Sequence, residues 1–268
     1  MPSIYAHYLF GDRSISKFPK QLQEIINDNR KFFDLGTSGG DLLFYYKPYK
    51  KNAVRSHGSQ MHRQNAAAQL AAFREMAAES CNKDRDIAYL AGYYTHFILD
   101  SRTHPFIDRM DEEGVARHFV IETDYDRKLL IKYGEDPYDN KYLRFQINDS
   151  DTQEIAAKYM NTTPKIIKKT LKDRRKYLGY ISSQNKFMRG LLNFLFRISN
   201  NTIAFDILVQ KREDPKCDGI RDTLEKLVFE ALAEVERGGK AFYEFLVDGG
   251  DLGGRFDCDF HMRQVEGD

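Results

Sequence analysis

His96, Asp100 and His104, spaced four apart, carry the side chains that most readily hold a divalent metal or pass a proton near neutral pH. On a helix, at about 100° per residue, that spacing keeps all three within roughly 80° of one another, on one face. From the composition, a chain like this shows the pattern by chance with a probability of about 0.03. His118 and Glu122 repeat the four-residue spacing one loop further on. Alone, that pair is expected about once by chance, and its weight comes from following the first motif. Two helices that each present a histidine and a carboxylate to one pocket suit zinc, which takes imidazole nitrogen and carboxylate oxygen and keeps a position for water where the site is catalytic. Asp100, on the most apolar stretch of the chain, is costly to bury unless cations or a metal face it. Six of the seven histidines (His7, His57, His62, His96, His104 and His118) precede residue 119, and only His261 follows.

The segment Tyr89-Leu-Ala-Gly-Tyr-Tyr-Thr-His96-Phe-Ile-Leu-Asp100-Ser-Arg-Thr-His104-Pro, followed by His118-x-x-x-Glu122, resembles the bacterial zinc-dependent phospholipase C family, which includes secreted lecithinases and alpha-toxins. The chain is also similar to shorter members that begin with Tyr-x-His-Tyr-Leu-Phe-Gly, here Tyr5 to Gly11. Those members carry Gly-Gly-Asp before aromatic residues and a Gly-Ser-x-Met-His segment, here ending in Asp41 and His62. The resemblance covers about residues 3 to 130. It implies a helical pocket with zinc ions, one aspartate bridging two of them, and a metal-bound water that attacks a phosphodiester phosphorus. By this resemblance Asp100 is the bridge. His96 and Asp41, with His57 or His62, complete one metal, His62 being preferred for its Met-His context. His104, His118 and Glu122 complete another, and His7 serves the third. The secreted enzymes bind that third zinc through an N-terminal tryptophan, and this chain has no Trp, so two or three ions are expected. Asp41 and Asp100 are the expected catalytic carboxylates, Asp41 either as a ligand or as the base that takes the water's proton. Asp126, one turn beyond Glu122, reads equally as the partner that a metal-bound His118 needs on its other nitrogen or as a surface acid.

The elements that must position these residues read as helices. Apolar spacing predicts helices over 18–33, 61–78, 87–102, 115–130, 152–159, 164–182, 187–198 and 222–245, with Asp84 or Asp86 capping the third and Pro105 ending it. Loops are expected at 36–41, at 47–55 and around His57-Gly-Ser. Few segments alternate with period two, so an all-α, mainly helical single domain over 1–268 is expected. Its metal-binding part is 1–130, and its helical remainder, 131–268, has no assigned role. The lysines and arginines of 164–182 read as a solvated face, 187–198 as core, and Cys258 and His261 as uninvolved in metal binding.

Lys plus Arg at 41 against Asp plus Glu at 40, a net charge of +1, supply no bulk field for nucleic acid or anionic lipid. No apolar run reaches the roughly 20 residues of a membrane span, and no basic-then-apolar start marks a secretory signal. Three widely spaced cysteines suit reduced thiols, so a cytoplasmic location is expected. The Gly36 to Gly40 stretch lacks the Gly-Lys-Ser/Thr of a nucleotide loop. The expected function is a zinc-dependent phosphodiester hydrolase of phospholipase C type, acting on a phospholipid or a related phosphodiester. One alternative is a trinuclear zinc nuclease, with Tyr45, Tyr46, Tyr93 and Tyr94 as base-stacking platforms. Another is a non-catalytic helical interaction domain whose metals are fully enclosed by protein ligands.

Overall fold

In the structure, a computed structural model, residues 4–198 and 205–265 are described. Helices make up the fold, with no strand among the described residues. They are α1 (Ile4–Ser14), α2 (Lys20–Asp28), α3 (Arg30–Gly36), α4 (Ala53–Arg63), α5 (Ala66–Ala78), α6 (Lys83–Glu112), α7 (His118–Lys132), α8 (Ser150–Tyr159), α9 (Pro164–Ser182), α10 (Lys186–Ile198) and α11 (Ile220–Asp248). Short side chains start several of them. Asn52, Asn65 and Asn82 each accept a bond from a backbone N–H three residues on, which satisfies one of the donors a helix start leaves open. Asp149 and Thr152 cap α8 reciprocally. Asn82, not Asp84 or Asp86, caps α6; Asp86 is buried instead, receiving Ser80 Oγ at 2.9 Å and Tyr159 Oη at 2.5 Å.

The central helix is α6, packed by α1, α2, α3, α5, α7 and α11. It passes straight through Pro105, against the expectation of a stop there. Proline removes one helical bond and costs about 3 kcal/mol, whereas each large apolar side chain buried contributes about 1.5–3 kcal/mol. With 19 of its 30 residues buried, α6 has ample packing to outweigh one proline. The hydroxyls of Ser101 and Thr103 bond back to Phe97 O at 2.7 Å and Leu99 O at 2.9 Å just before it.

Four other expectations are corrected. The segment 18–33 is two helices divided at Asn29, and 61–78 is two divided at 64–65. His57 is helical, within α4: Gly58 beside it is not a turn residue but a close contact, where a Cβ would lie 3.1 Å from Gly40 O. Finally, α10 does not lie in the core. Phe187, Leu191, Phe194, Leu195 and Ile198 are exposed, while Leu192 and Phe196 pack against the second of two apolar clusters. That cluster joins α1, α7 and α9; the first centres on α6 with Phe33, Tyr89, Phe97, Phe242 and Phe260. No described helix is long and apolar enough to cross a membrane.

Candidate metal centre

Four segments meet beside α6. His7 comes from the first turn of α1, where the backbone N–H groups of Tyr5 and Ala6 have no helical partner and donate instead to the Asp126 carboxylate at 3.0 and 2.8 Å. Asp126 thus fixes the helix that carries His7. It does not orient His118, and burial raises its pKa to about 7 although both N–H bonds oppose this. Asp41 comes from the 3-10 turn Gly39–Tyr45. His62 lies in the last turn of α4, its Nδ1 on Gly58 O at 2.8 Å, so its Nε2 points to Asp41 Oδ1 at 3.1 Å.

The glycines before Asp41 have a steric purpose. A Cβ on Gly39, whose φ is +47°, would sit 2.0 Å from the His96 ring, and one on Gly40 would sit 2.9 Å from that of His62. Only glycine lets the chain pass against both rings and still present Asp41. Below this turn, the buried Arg174 donates to Ser38 Oγ at 3.0 Å.

Three sets of nitrogen and oxygen atoms lie close enough to share an ion: His7, His96 and Asp100; Asp41, His62 and His96; and His104, His118 and Glu122. Asp100 reaches towards all of them. Its Oδ1 is 3.1 Å from His7 Nε2 and 3.6 Å from His104 Nε2, and its Oδ2 is 3.3 Å from His96 Nε2. In the outer set, Glu122 Oε1 lies 3.5 Å from His104 Nε2 and 3.4 Å from His118 Nε2. The structure brings His62 to Asp41, whereas His57 points away, its Nε2 3.0 Å from Met160 O.

Electrostatics set these groups apart. Burial opposes ionisation of Asp100, yet the surrounding rings of His104, His96 and His7 hold its carboxyl far below the usual range. Asp41 and Glu122 are also held low against burial, with His62 contributing to the first and His118 and His104 to the second. His96 goes the other way: burial takes it down to about 3, so its ring is neutral. His7 and His62 are raised despite burial, by Asp100 and Asp41 respectively. His118 is raised to about 10, Glu122 and Asp108 overcoming burial.

The donor set fits zinc. His96 Nε2 and His62 Nε2 stand 3.4 Å apart, and His96 Nδ1 and His7 Nδ1 stand 3.1 Å apart, so lone pairs converge around carboxylates that are already ionised. Asp100 Oδ2 is buried without a hydrogen-bond donor, a costly state that a cation relieves.

Asp108 escaped the reading of the sequence, and His261, read as uninvolved in metal binding, lies beside the outer set. Asp108 receives His118 Nδ1 at 3.1 Å on one oxygen and His261 Nδ1 at 2.6 Å on the other, and the His261 ring stacks on His104 at 4.4 Å. Asp108, not Asp126, is therefore the carboxylate that turns His118 Nε2 towards Glu122. Its signal was present, because 96, 100, 104 and 108 continue one four-residue series. His261 had none, since it arrives from a distant segment. The same segment lays Phe260 against His62, His96 and Phe97 and bonds Phe260 N to His62 O at 3.1 Å. Of the tyrosines read as base-stacking platforms, Tyr45, Tyr93 and Tyr94 are buried. Tyr93 donates to Gln69 Oε1 at 2.5 Å, and Tyr94 stacks on Phe242.

A helical fold whose central helix gathers histidines and carboxylates from four segments into one buried pocket defines a class of metal-dependent helical protein. The family model for zinc dependent phospholipase C matches residues 6–186, more than half of the chain, and the chain belongs to that family. The match runs well past residue 130, through α8 and α9 to the start of α10. Neither a curated protein nor a solved structure matches the chain.

Proposed function

We propose that the chain is a zinc-dependent phosphodiester hydrolase of phospholipase C type, with phospholipid as its substrate class and two or three zinc ions as its cofactor. The observation that carries the reading is the crowding of donor sets in one buried pocket: His96 belongs to two of them, and Asp100 lies 3.1 Å from His7 Nε2 in its own set and 3.6 Å from His104 Nε2 in the next. A structural zinc site is normally a single closed set of four ligands, whereas sets joined through one carboxylate are the arrangement of multi-metal phosphoryl chemistry. His7, Asp41, His62, His96, Asp100, His104, His118 and Glu122 would hold the metals. When bound, zinc lowers the pKa of a coordinated water to about 7 and neutralises charge on phosphoryl oxygens.

The chain's own groups supply the rest. Asp41 is the most exposed carboxylate of the three sets, at 16% against 2% for Asp100 and 3% for Glu122, and it stays ionised beside His62. It is placed to take a proton from the attacking water on its carboxylate oxygen. Asp100 lies between the two ends of the pocket, 3.3 Å from His96 Nε2 and 3.6 Å from His104 Nε2. Phe260 excludes water from the backs of His62 and His96. Of the four tyrosines that favoured a nuclease, Tyr45, Tyr93 and Tyr94 are buried and Tyr46 is half-buried, which weighs against a row of base-stacking platforms. Three unpaired cysteines, Cys81, Cys217 and Cys258, support a reducing, cytoplasmic setting.

The test is elemental analysis of protein purified without chelator, followed by assay against phosphatidylcholine, phosphatidylglycerol and single-stranded DNA. Two or three zincs with release of a phosphorylated headgroup is the expected result. DNA cleavage without lipid cleavage, or a zinc-loaded protein inert to all three, overturns the reading.

A further inference from the structure

The basic residues of α9 divide into two groups. Lys169 is paired with Asp173 at 2.8 Å, and Arg174 is buried. Lys168, Lys172 and Lys176, at i, i+4 and i+8, have no carboxylate partner among the described residues. Lys165 on the same helix also has none, whereas Lys31 is matched with Asp149 and Asp151, Lys128 and Lys132 with Glu225, and Lys158 with Asp86. Lys168, Lys172 and Lys176 are exposed, as the solvated-face reading expects, but the surface they share is concave. With Arg175 they line a cavity of about 620 Å³ between α9 and the segment 140–148, and no carboxylate lines it. Asn140 Nδ2 donates to Arg175 O at 2.7 Å and Asn148 Nδ2 to Lys168 O at 3.4 Å, tying the facing wall to the helix. Gln146, 8% exposed, also lines the cavity, and its Nε2 has no acceptor. Such a concavity, rich in donors and free of acidic groups, selects phosphate-bearing anions.

Three residues after α9 ends, α10 begins, and it is apolar on two sides. Leu192 and Phe196 face the second core cluster, while Phe187, Leu191, Phe194, Leu195 and Ile198 form a stripe turned outward. Phe187 is 79% exposed, Phe194 61% and Ile198 69%. Arg189 anchors the helix through Val209 O at 3.0 Å, so the outward stripe is held in place rather than waiting to fold inward. An amphipathic helix with phenylalanine and leucine on its outer face, next in sequence to an unpaired lysine row, has the composition of an element that lies in a membrane interface.

We propose that the lysine cavity of α9 and the outer stripe of α10 together form the surface by which this protein docks on an anionic phospholipid bilayer, the cavity taking the phosphate of a headgroup. The choice of lipid over other anions rests on the phospholipase reading above; the binding itself does not.

The test is co-sedimentation with vesicles of phosphatidylcholine alone and of phosphatidylcholine mixed with phosphatidylglycerol, scored without reference to turnover. Wild type is expected to favour the mixed vesicles, less so as salt is raised. Replacing Lys168, Lys172 and Lys176 by Gln should weaken that binding by about a hundredfold, since each basic residue near an anionic surface adds about a factor of five to ten. Phe187→Ser with Phe194→Ser should weaken binding to both vesicle types by tenfold or more. All five side chains are exposed, and circular dichroism checks that the variants keep their helices. If the hydrolase reading holds, both variants should still cleave a soluble short-chain phosphodiester at the wild-type rate. Vesicle binding that depends on these residues in a protein that cleaves nothing leaves the docking surface standing and removes the hydrolase. Equal binding by wild type and variants overturns the docking surface. So does binding of inorganic phosphate or RNA through the lysines with no vesicle binding.

Discussion

His96 and His104 lie on the same face of α6, two turns apart, in different surroundings. Around His96, the rings of His7 and His62 and the Asp100 carboxylate are each less than a tenth exposed, and Phe260 covers the rings from behind. Two glycines at 39 and 40 leave no slack between backbone and imidazole. Around His104, the His118, Asp108 and His261 side chains are about a fifth exposed, and what holds them is a pair of hydrogen bonds to one carboxylate. The inner end adds steric fit at Gly39 and Gly40 to the His7–Asp100 and His62–Asp41 pairs, the outer end rests on charge and hydrogen bonding alone, and His261 of the outer end comes from beyond the family match. Fit is insensitive to salt and proton concentration. A hydrogen-bonded carboxylate is sensitive to both, so the two ends should differ in how tightly they keep their metal.

The comparison can be broken most directly at Asp100, the one residue that serves both ends. Asp100→Ala should remove zinc from inner and outer sets together, leaving less than one ion per chain by elemental analysis; retention of two would show that the ends do not share it. Next in size is Gly39→Ala, which puts a methyl group into the His96 ring at a φ of +47°. The inner end alone should fail, with a melting temperature lowered by about 5 °C or more and the outer zinc kept. Asp108→Asn should do the reverse. It should weaken one zinc by about 10- to 100-fold in a chelator competition, with the inner ions unchanged and Asp108→Glu restoring part of the loss.

Proton release sharpens the same contrast. Burial lowers His118, but Glu122 and Asp108 raise it to about 10, so without metal its protonation stabilises the fold fully below pH 6.5 and ceases to do so as pH rises through 10. Zinc must displace that proton. Affinity at the outer end should therefore climb by about tenfold per pH unit from 7 to 9, as titrations at several pH values would report. At the inner end His96, neutral from about pH 3 upward, gives up no proton, while His7 and His62, raised beside Asp100 and Asp41, do. The smallest effect belongs to His57→Ala. It loses one hydrogen bond to Met160 O, costs about 1 kcal/mol, and leaves zinc content untouched.

The amino-acid sequence disclosed the ligand-bearing face because a four-residue spacing is a local property of a helix. That spacing marks five of the eight proposed ligands, the resemblance supplies His7, Asp41 and His62, and Asp108 was legible in principle as the next member of the series. What stayed hidden was the outcome of competition with tertiary structure. Pro105 reads as a stop, but the packing of α6 outweighs one missing bond. Gly58 reads as a turn, but it marks where α4 passes against the backbone at Gly40. Asp126 sits one turn from Glu122, and that proximity along the helix suggested His118. The N–H groups at the start of α1, 120 residues away in sequence, were the stronger claim on its carboxylate. For α10, periodicity showed an apolar stripe without showing which side of the helix the body of the protein would cover.

The passage of α6 through Pro105 makes the helix a length standard. His96 and His104 are eight residues apart on one continuous rod, so their Cα atoms stand about 12 Å apart, a distance set by peptide geometry and adjustable by no loop. Proline, lacking the bond to the Ser101 carbonyl, is also the point at which such a rod bends most easily, and it lies one residue past His104. The gauge is thus stiff between its marks and hinged just outside them. A strain applied to the end of the helix near Glu112 would tilt Asp108 before it altered the spacing between the two ends of the centre.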